Sequence, residues 1–200
     1  MAKKLNKEFF LQEDVVQIAQ DLVGKKIITN INRQKTAGYI TETEAYAGKG
    51  DRACHAHLGR FTKRTKVMYE TGGIAYVYLC YGIHHLFNII TNKKNHADAV
   101  LIRAIEPTDG IDLMLERRKM TTIKKNISSG PGNVSQALGI TKEYNAQSVL
   151  RNEIKLYDVN KQPKLEADKR IGIGYAGDDA NLLWRFYDQN SQFVSKKINH

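Results

Sequence analysis

Two carboxylates, Glu42 and Glu44, stand two residues apart in the stretch Gly38 to Tyr46, which is rich in β-branched and aromatic residues and reads as a strand. Successive side chains on a strand point to opposite faces, so Ile40, Glu42, Glu44 and Tyr46 share one face. A carboxylate held against a pocket by such a rigid element suits general-base chemistry. The alternative is an exposed strand face, because charged side chains commonly protect sheet edges from pairing. Further along, Arg103 interrupts the apolar run Ala99 to Ile105, a pattern that usually means a paired or ligand-facing charge.

Other chemistries fit less well. Cys54-His55-Ala56-His57 contains good zinc ligands, but its spacing matches none of the standard zinc patterns and no second ligand cluster accompanies it. Gly172, Gly174 and Gly177 resemble a dinucleotide fingerprint only by glycine count, since no strand-helix-strand unit surrounds them. There is no Walker-type Gly-Lys-Ser or Gly-Lys-Thr, and no serine in a nucleophile elbow. A carboxylate pair, a nearby histidine, many tyrosines and several basic loops remain, and together they fit a protein that acts on nucleic acid.

The elements that must position these groups follow from periodicity. Val15, Ile18, Ala19 and Leu22 have amphipathic spacing and predict a helix over Gln12 to Leu22, ended by Gly24. A strand from Lys25 to Asn32 turns through Asn32-Arg33-Gln34-Lys35 into the Gly38 to Tyr46 strand. Irregular chain then leads to a loop carrying Arg60, Lys63, Arg64 and Lys66. Ile74 to Tyr81 and His85 to Thr91 read as a hairpin that turns at Gly82 and carries Tyr81 at its tip. Tyr76, Tyr78 and Cys80 face one way on it, and Val77, Leu79 and Tyr81 the other. A polar loop over Asn92 to His96 precedes the Ala99 to Ile105 strand, and Pro107 to Met120 is predicted helical, with Arg117-Arg118-Lys119 complementing its dipole. Ser129-Gly130-Pro131-Gly132-Asn133 opens a short helix closed by Gly139, and short strands and turns follow at Arg151 to Tyr157, Arg170 to Gly174 and Leu183 to Tyr187.

The 200 residues suit one domain, and 31 Lys and Arg against 21 Asp and Glu give a net charge of +10 that favours a polyanionic partner. No apolar run approaches the roughly eighteen residues of a membrane helix, and Met1 to Phe10 lacks the apolar core of a secretory signal. With only Cys54 and Cys80, the expectation is a soluble cytoplasmic protein of a reducing compartment, associated with the nucleoid if bacterial.

Five segments in order, Glu42 to Tyr46, Tyr76 to Gly82, Leu101 to Pro107, Ser129-Gly130-Pro131 and Arg170 to Gly174, resemble the alkyladenine (3-methyladenine) DNA glycosylase family. The resemblance implies a single α+β domain, residues 1–200, around a curved, mostly antiparallel, partly open barrel-like sheet with peripheral helices and a protruding hairpin. It implies a hydrolase of base excision repair that needs no metal or cofactor. Its partner is double-stranded DNA with a damaged purine, with no membrane, no obligate protein partner and a monomeric state expected. By the same resemblance Glu44 falls at the general base and Arg103 at the arginine that helps hold the attacking water near the backbone of Ile173. Tyr46, His55 and Tyr78 fall at the pocket for the flipped base, Asn88 at its floor and Tyr81 at the intercalating wedge. Glu42 takes no catalytic role. The charge of the basic loops leads to the expectation that Arg60, Lys63, Arg64 and Lys66, together with Lys93-Lys94, meet the DNA backbone, and Ile173 and Gly174 are expected there as well.

Physical chemistry gives these roles a rationale. A base inside a duplex is out of reach of water and has to be extruded, which leaves a gap for a flat side chain to fill. N3- and N7-alkylated purines carry positive charge, so Tyr46 and Tyr78 would attract them by roughly 0.5 to 2 kcal/mol of cation–π energy. Two departures from the family pattern stand out, His84-His85-Leu86-Phe87 after the hairpin turn and a slightly extended loop over Asn92 to His96. A non-catalytic module that senses bases would have no use for Glu44 or Arg103. A metal-dependent nuclease built on Glu42, Glu44 and His55 would lose its cleavage to a chelator.

Overall fold

The architecture is organised by a central strand, β3 (Gln34–Tyr46), in a computed structural model that describes residues 2–151 and 153–197. Its N-terminal half pairs with β2 (Lys26–Ile31) and residues Glu42 to Glu44 pair with β9 (Arg185–Asp188) on that same edge. The other edge pairs with β6 (Asp98–Asp109) from Ala99 to Asp109. Beyond β6 lie β5 (His84–Thr91) and β4 (Ile74–Cys80), and beyond β2 lie β7 (Ile154–Asp158) and β1 (Lys3–Lys4). β8 (Leu165–Asp168) extends β9. All these pairings are antiparallel and the sheet does not close into a barrel, so the fold is α+β.

β3 is therefore interior, and the edge-protecting reading of Glu42 and Glu44 is overturned: both are fully buried. The β2–β3 turn is the two-residue type that needs left-handed backbone at both positions, and Asn32 and Arg33 adopt it at φ of 53° and 63°. Irregularities in the β3–β6 pairing at Ala37/Gly38 and on either side of Glu42 bend the strand. At the first of these, a Cβ on Gly38 would sit 2.6 Å from the Glu106 carbonyl oxygen, so only glycine fits.

One face of the sheet carries the main core. Ala45, Val77, Phe87, Ile89, Val100 and Ile102 pack there against the buried side of α2 (Val15–Leu22), while α4 (Pro131–Leu138) rests on β5 and β6. The predicted helix over Gln12 to Leu22 starts later because Asp14 caps it, accepting from the Val16 and Gln17 amides at 2.9 and 3.0 Å. The helix predicted from Pro107 is corrected as well: β6 continues through Pro107 to Asp109, Gly110 turns the corner at φ 68°, and α3 (Ile111–Arg118) follows. A residue preceding proline prefers extended backbone, which keeps Glu106 in the strand. Arg118 does more than complement a helix dipole, since it donates to the Ile127 and Asn126 carbonyls. β5 begins one residue earlier than expected, at His84, which pairs with Cys80. Asn152, within the strand expected over Arg151 to Tyr157, lies outside the described residues. β1, β8 and α1 (Lys7–Phe10) lie outside the elements expected from periodicity.

Candidate active site

The face opposite the main core is where the reactive groups converge, and strand register explains how. Tyr76 pairs with Asn88, Asn88 with Leu101, Leu101 with Glu44 and Glu44 with Arg185, a row across β4, β5, β6, β3 and β9. Residues paired across antiparallel strands project to the same side, and so do positions two apart. Tyr78, Arg103, Tyr46 and Glu42 thus join the row's face. Two irregular segments, Asp51 to Tyr69 and Arg170 to Asn181, fold over that face, contributing small clusters around Cys54, Met68 and Ile173.

Glu44 is held at three points. Its carboxylate accepts from the Tyr46 hydroxyl at 2.7 Å and from the Ile171 backbone N–H at 2.7 Å, and it pairs with Arg103 Nη1 at 3.3 Å. Burial, then the adjacent Glu44 charge, push the Tyr46 phenol well above its ordinary pKa, so the hydroxyl stays protonated and donates a hydrogen bond to the carboxylate. Burial works against the charge on Arg103, but Glu44 and Glu42 outweigh it and hold that guanidinium's pKa above its usual value.

Glu42, on the same strand face, serves a different network. It accepts from Arg103 Nε at 3.2 Å, Arg185 Nη1 at 2.9 Å, and both the backbone N–H and the hydroxyl of Ser195 at 2.7 Å. Arg185 pairs in turn with Asp168. Glu42 is fully buried and is not on the lining of the open cavity, whereas Arg103 is and links the network to it.

That cavity has a volume of about 480 Å³ and is walled by Tyr46, His55, Tyr78, Asn88, Arg103 and Ile173, among others. Of the residues expected at a base pocket, all four are thus brought together, with Arg103 and Tyr81 also on the lining. Glu44 lies behind that wall, reached through Tyr46 and Arg103. Asn88 is buried and donates to the Tyr76 and Leu86 carbonyls at 3.1 and 3.4 Å, which fixes its amide. His55 stacks edge-on against Tyr78 at 4.8 Å, with Nδ1 2.9 Å from the Tyr76 hydroxyl. Burial, then Arg64 and Arg60, lower the His55 pKa to about 4, so the ring is neutral near pH 7. Arg64 Nη2 lies 3.2 Å from His55 Nε2 and can only donate, so Nε2 accepts and the ring proton sits on Nδ1.

Guanidinium groups already lie over both pocket tyrosines. Arg170 stands 4.9 Å from the centre of the Tyr46 ring, clamped by Asp51 at 2.6 and 2.9 Å, and Arg64 stands 4.6 Å from the centre of Tyr78. Arg64 therefore turns toward the cavity rather than outward with its basic neighbours. Arg60, Lys63 and Lys66 are exposed, as is Gly174, and none of these four lines the cavity. Lys93 and Lys94 follow the far end of β5; over its eight residues that is about 25 Å from the hairpin tip. Lys93 is engaged by Glu13 at 2.9 Å. At the tip, Tyr81 is 93% exposed and Ile83 71%, with Tyr81 and Gly82 in left-handed turn conformation. Cys54 does not turn to its histidine neighbours: its thiol faces the Ala97 carbonyl, and burial raises its pKa to about 12.

Several participants were not singled out from sequence. Tyr76 was legible, since alternation places it beside Tyr78. The Ile171 amide, Asp51, Arg185 and Ser195 carry no local signal, because each acts on a residue far away in the chain. Arg170 to Gly174 is a turn whose Gly172, at φ 80°, breaks extended pairing and frees the Ile171 N–H for Glu44.

Comparison with known sequences points to one family. The sequence model of the methylpurine-DNA glycosylase family matches residues 8–192. A Clostridium novyi protein provisionally named a 3-methyladenine DNA glycosylase is 42% identical over 202 residues, covering 98% of this chain and 100% of the relative. Relatives bearing the same name from Chlamydia felis and Natranaerobius thermophilus are 45% and 41% identical, covering 91% and 96% of this chain and 94% and 98% of their own lengths.

Proposed function

Because the chain belongs to the methylpurine-DNA glycosylase family, we propose that it removes alkylated purines such as 3-methyladenine from duplex DNA, receiving the extruded base in the aromatic cavity. The reaction is hydrolysis of the N-glycosidic bond. Water adds to C1′ of the sugar, the bond from C1′ to the base nitrogen breaks with its electron pair leaving on the purine, and Glu44 takes a proton from the water. The product is an abasic site.

The single observation that carries this reading is the setting of Glu44. A carboxylate accepts about four hydrogen bonds. Glu44 has three partners among the described residues, Tyr46, Ile171 and Arg103, and all three line the cavity. An acceptor site thus remains for a water at the cavity wall, held by a guanidinium beside it. The same negative charge stabilises the oxocarbenium character that develops on the sugar. Tyr81, exposed at the hairpin tip, supplies the flat surface that fills the gap left by the extruded nucleotide.

The test is incubation with duplexes carrying 3-methyladenine, 7-methylguanine, hypoxanthine or ethenoadenine, with alkali added afterwards, with and without EDTA. Strand cleavage that needs alkali and ignores EDTA is expected. Cleavage before alkali that a chelator abolishes would refute the glycosylase reading in favour of a metal-dependent nuclease.

A further inference from the structure

We propose that Arg64 is the resident occupant of the base cavity: its guanidinium covers the Tyr78 face that an incoming base needs, every base has to displace it, and its charge biases the cavity against cationic bases. The inference deepens the glycosylase reading and rests on it for the identity of the ligand.

Three observations converge. Arg64 lies 4.6 Å over the Tyr78 ring and 3.2 Å from His55 Nε2, so one side chain engages two walls of the cavity at once. Arg64 is also the cavity's unbalanced cation. Arg103 is matched by Glu42 and Glu44, and Arg170 by Asp51, whereas Arg64 has no acidic partner among the described residues. Finally, the residue is exposed and sits on an irregular loop, so it can leave without disturbing the core.

The consequence runs against the simplest view of the tyrosines. An empty Tyr78 face would prefer a cationic purine to a neutral one. With Arg64 on that face, both kinds of base pay for its displacement, and the cationic one is then repelled by a guanidinium still tethered at the cavity mouth. Two unit charges about 4 Å apart disfavour occupancy by about fivefold even at the dielectric of bulk water, and by more in a partly desolvated cavity. Leaving the cavity also releases His55 Nε2 as an acceptor for an N–H on the base.

Free nucleosides isolate this effect from phosphate contacts. The affinities of 7-methylguanosine, assayed below neutral pH where the methylated ring is a cation, and of guanosine are measured by NMR titration for the wild type, Arg64→Gln and Arg64→Lys. Arg64→Gln is expected to bind both nucleosides more tightly, and to raise the ratio of 7-methylguanosine to guanosine affinity by at least about fivefold. Arg64→Lys, which keeps the charge, should leave that ratio near the wild-type value. Weaker or unchanged binding of both nucleosides by Arg64→Gln, or an unchanged ratio, would overturn the proposal and leave Arg64 as a phosphate contact. The readout requires no bond cleavage, so a protein inactive in the alkali assay would sink the glycosylase reading without deciding the role of Arg64.

Discussion

Replacing Glu42 by glutamine should destabilise the fold, and the structure says by how much. Four donors point at this carboxylate: Arg103 Nε, Arg185 Nη1, and the backbone N–H and hydroxyl of Ser195. A glutamine keeps the shape but offers one oxygen and one NH2. With the oxygen toward the two arginines, the NH2 meets the Ser195 N–H, donor against donor; flipped, it meets the arginines. At least one buried donor is stranded in either orientation, which costs about 1 to 3 kcal/mol by itself. Arg185 and Arg103 also lose a buried counter-charge and keep only Asp168 and Glu44. Breaking a buried pair of this kind typically costs about 3 to 5 kcal/mol, and a chain of this size loses about 2 to 4 °C of melting temperature per kcal/mol. Differential scanning calorimetry should therefore place Glu42→Gln about 6 to 20 °C below the wild type. A variant melting within about 2 °C of the wild type would show that Glu42 is not the charge that holds Arg103, Arg185 and the C-terminal segment together.

Affinity for undamaged duplex should fall steeply with salt, and replacing Arg60, Lys63 and Lys66 together by glutamine should reduce the slope of log affinity against log salt by up to about 2.7, while replacing Lys93 and Lys94 should hardly change it. A slope indifferent to the first trio would relocate the DNA-binding surface. Tyr81→Ser should leave the melting temperature unchanged, because the side chain is 93% exposed, and should weaken the fluorescence signal of a flipped ethenoadenine; a large loss of stability would mean that Tyr81 is packed. His55 sets a pH dependence of stability. Its pKa falls from 6.5 to about 4 on folding, so the stability it contributes is present above pH 6.5 and is lost as pH falls toward 4. Partial solvent access limits that contribution to at most about 3 kcal/mol. Thermal melts from pH 4 to 7 should show His55→Gln lacking this part of the acid destabilisation, and parallel curves for the two proteins would contradict it.

What was legible in the sequence is what strands encode locally. Period-two alternation puts Glu42, Glu44 and Tyr46 on one face of their strand and Tyr76 with Tyr78 on one face of theirs, and Gly82 marks the turn that exposes Tyr81. Alternation does not say which face is covered. Only the folding of Asp51 to Tyr69 and Arg170 to Asn181 over the sheet turns a polar face into an enclosed site, and those segments have no periodicity to read. The division of labour between the two carboxylates is similarly non-local: Ser195 reaches Glu42 from 153 residues away, and the Ile171 amide reaches Glu44 from 127. Short elements such as β1 and β8 escaped notice because long-range pairing, with β7 and β9, holds them rather than propensity. Pro107 misled because proline commonly opens helices, yet here it follows an extended residue in a strand.

The proposed mechanism assigns activation of the water to Glu44 and not to Glu42. Single-turnover excision of 3-methyladenine from duplex DNA under saturating enzyme, at a temperature where each variant is folded, tests it directly. Glutamine at position 44 keeps the shape of the side chain but can neither take a proton nor stabilise positive charge on the sugar. Glu44→Gln should slow excision by at least about 10² to 10⁴ while still binding the damaged duplex, whereas Glu42→Gln should stay within about tenfold of the wild type. Wild-type rates from Glu44→Gln, or a dead Glu42→Gln beside an active Glu44→Gln, would contradict the assignment.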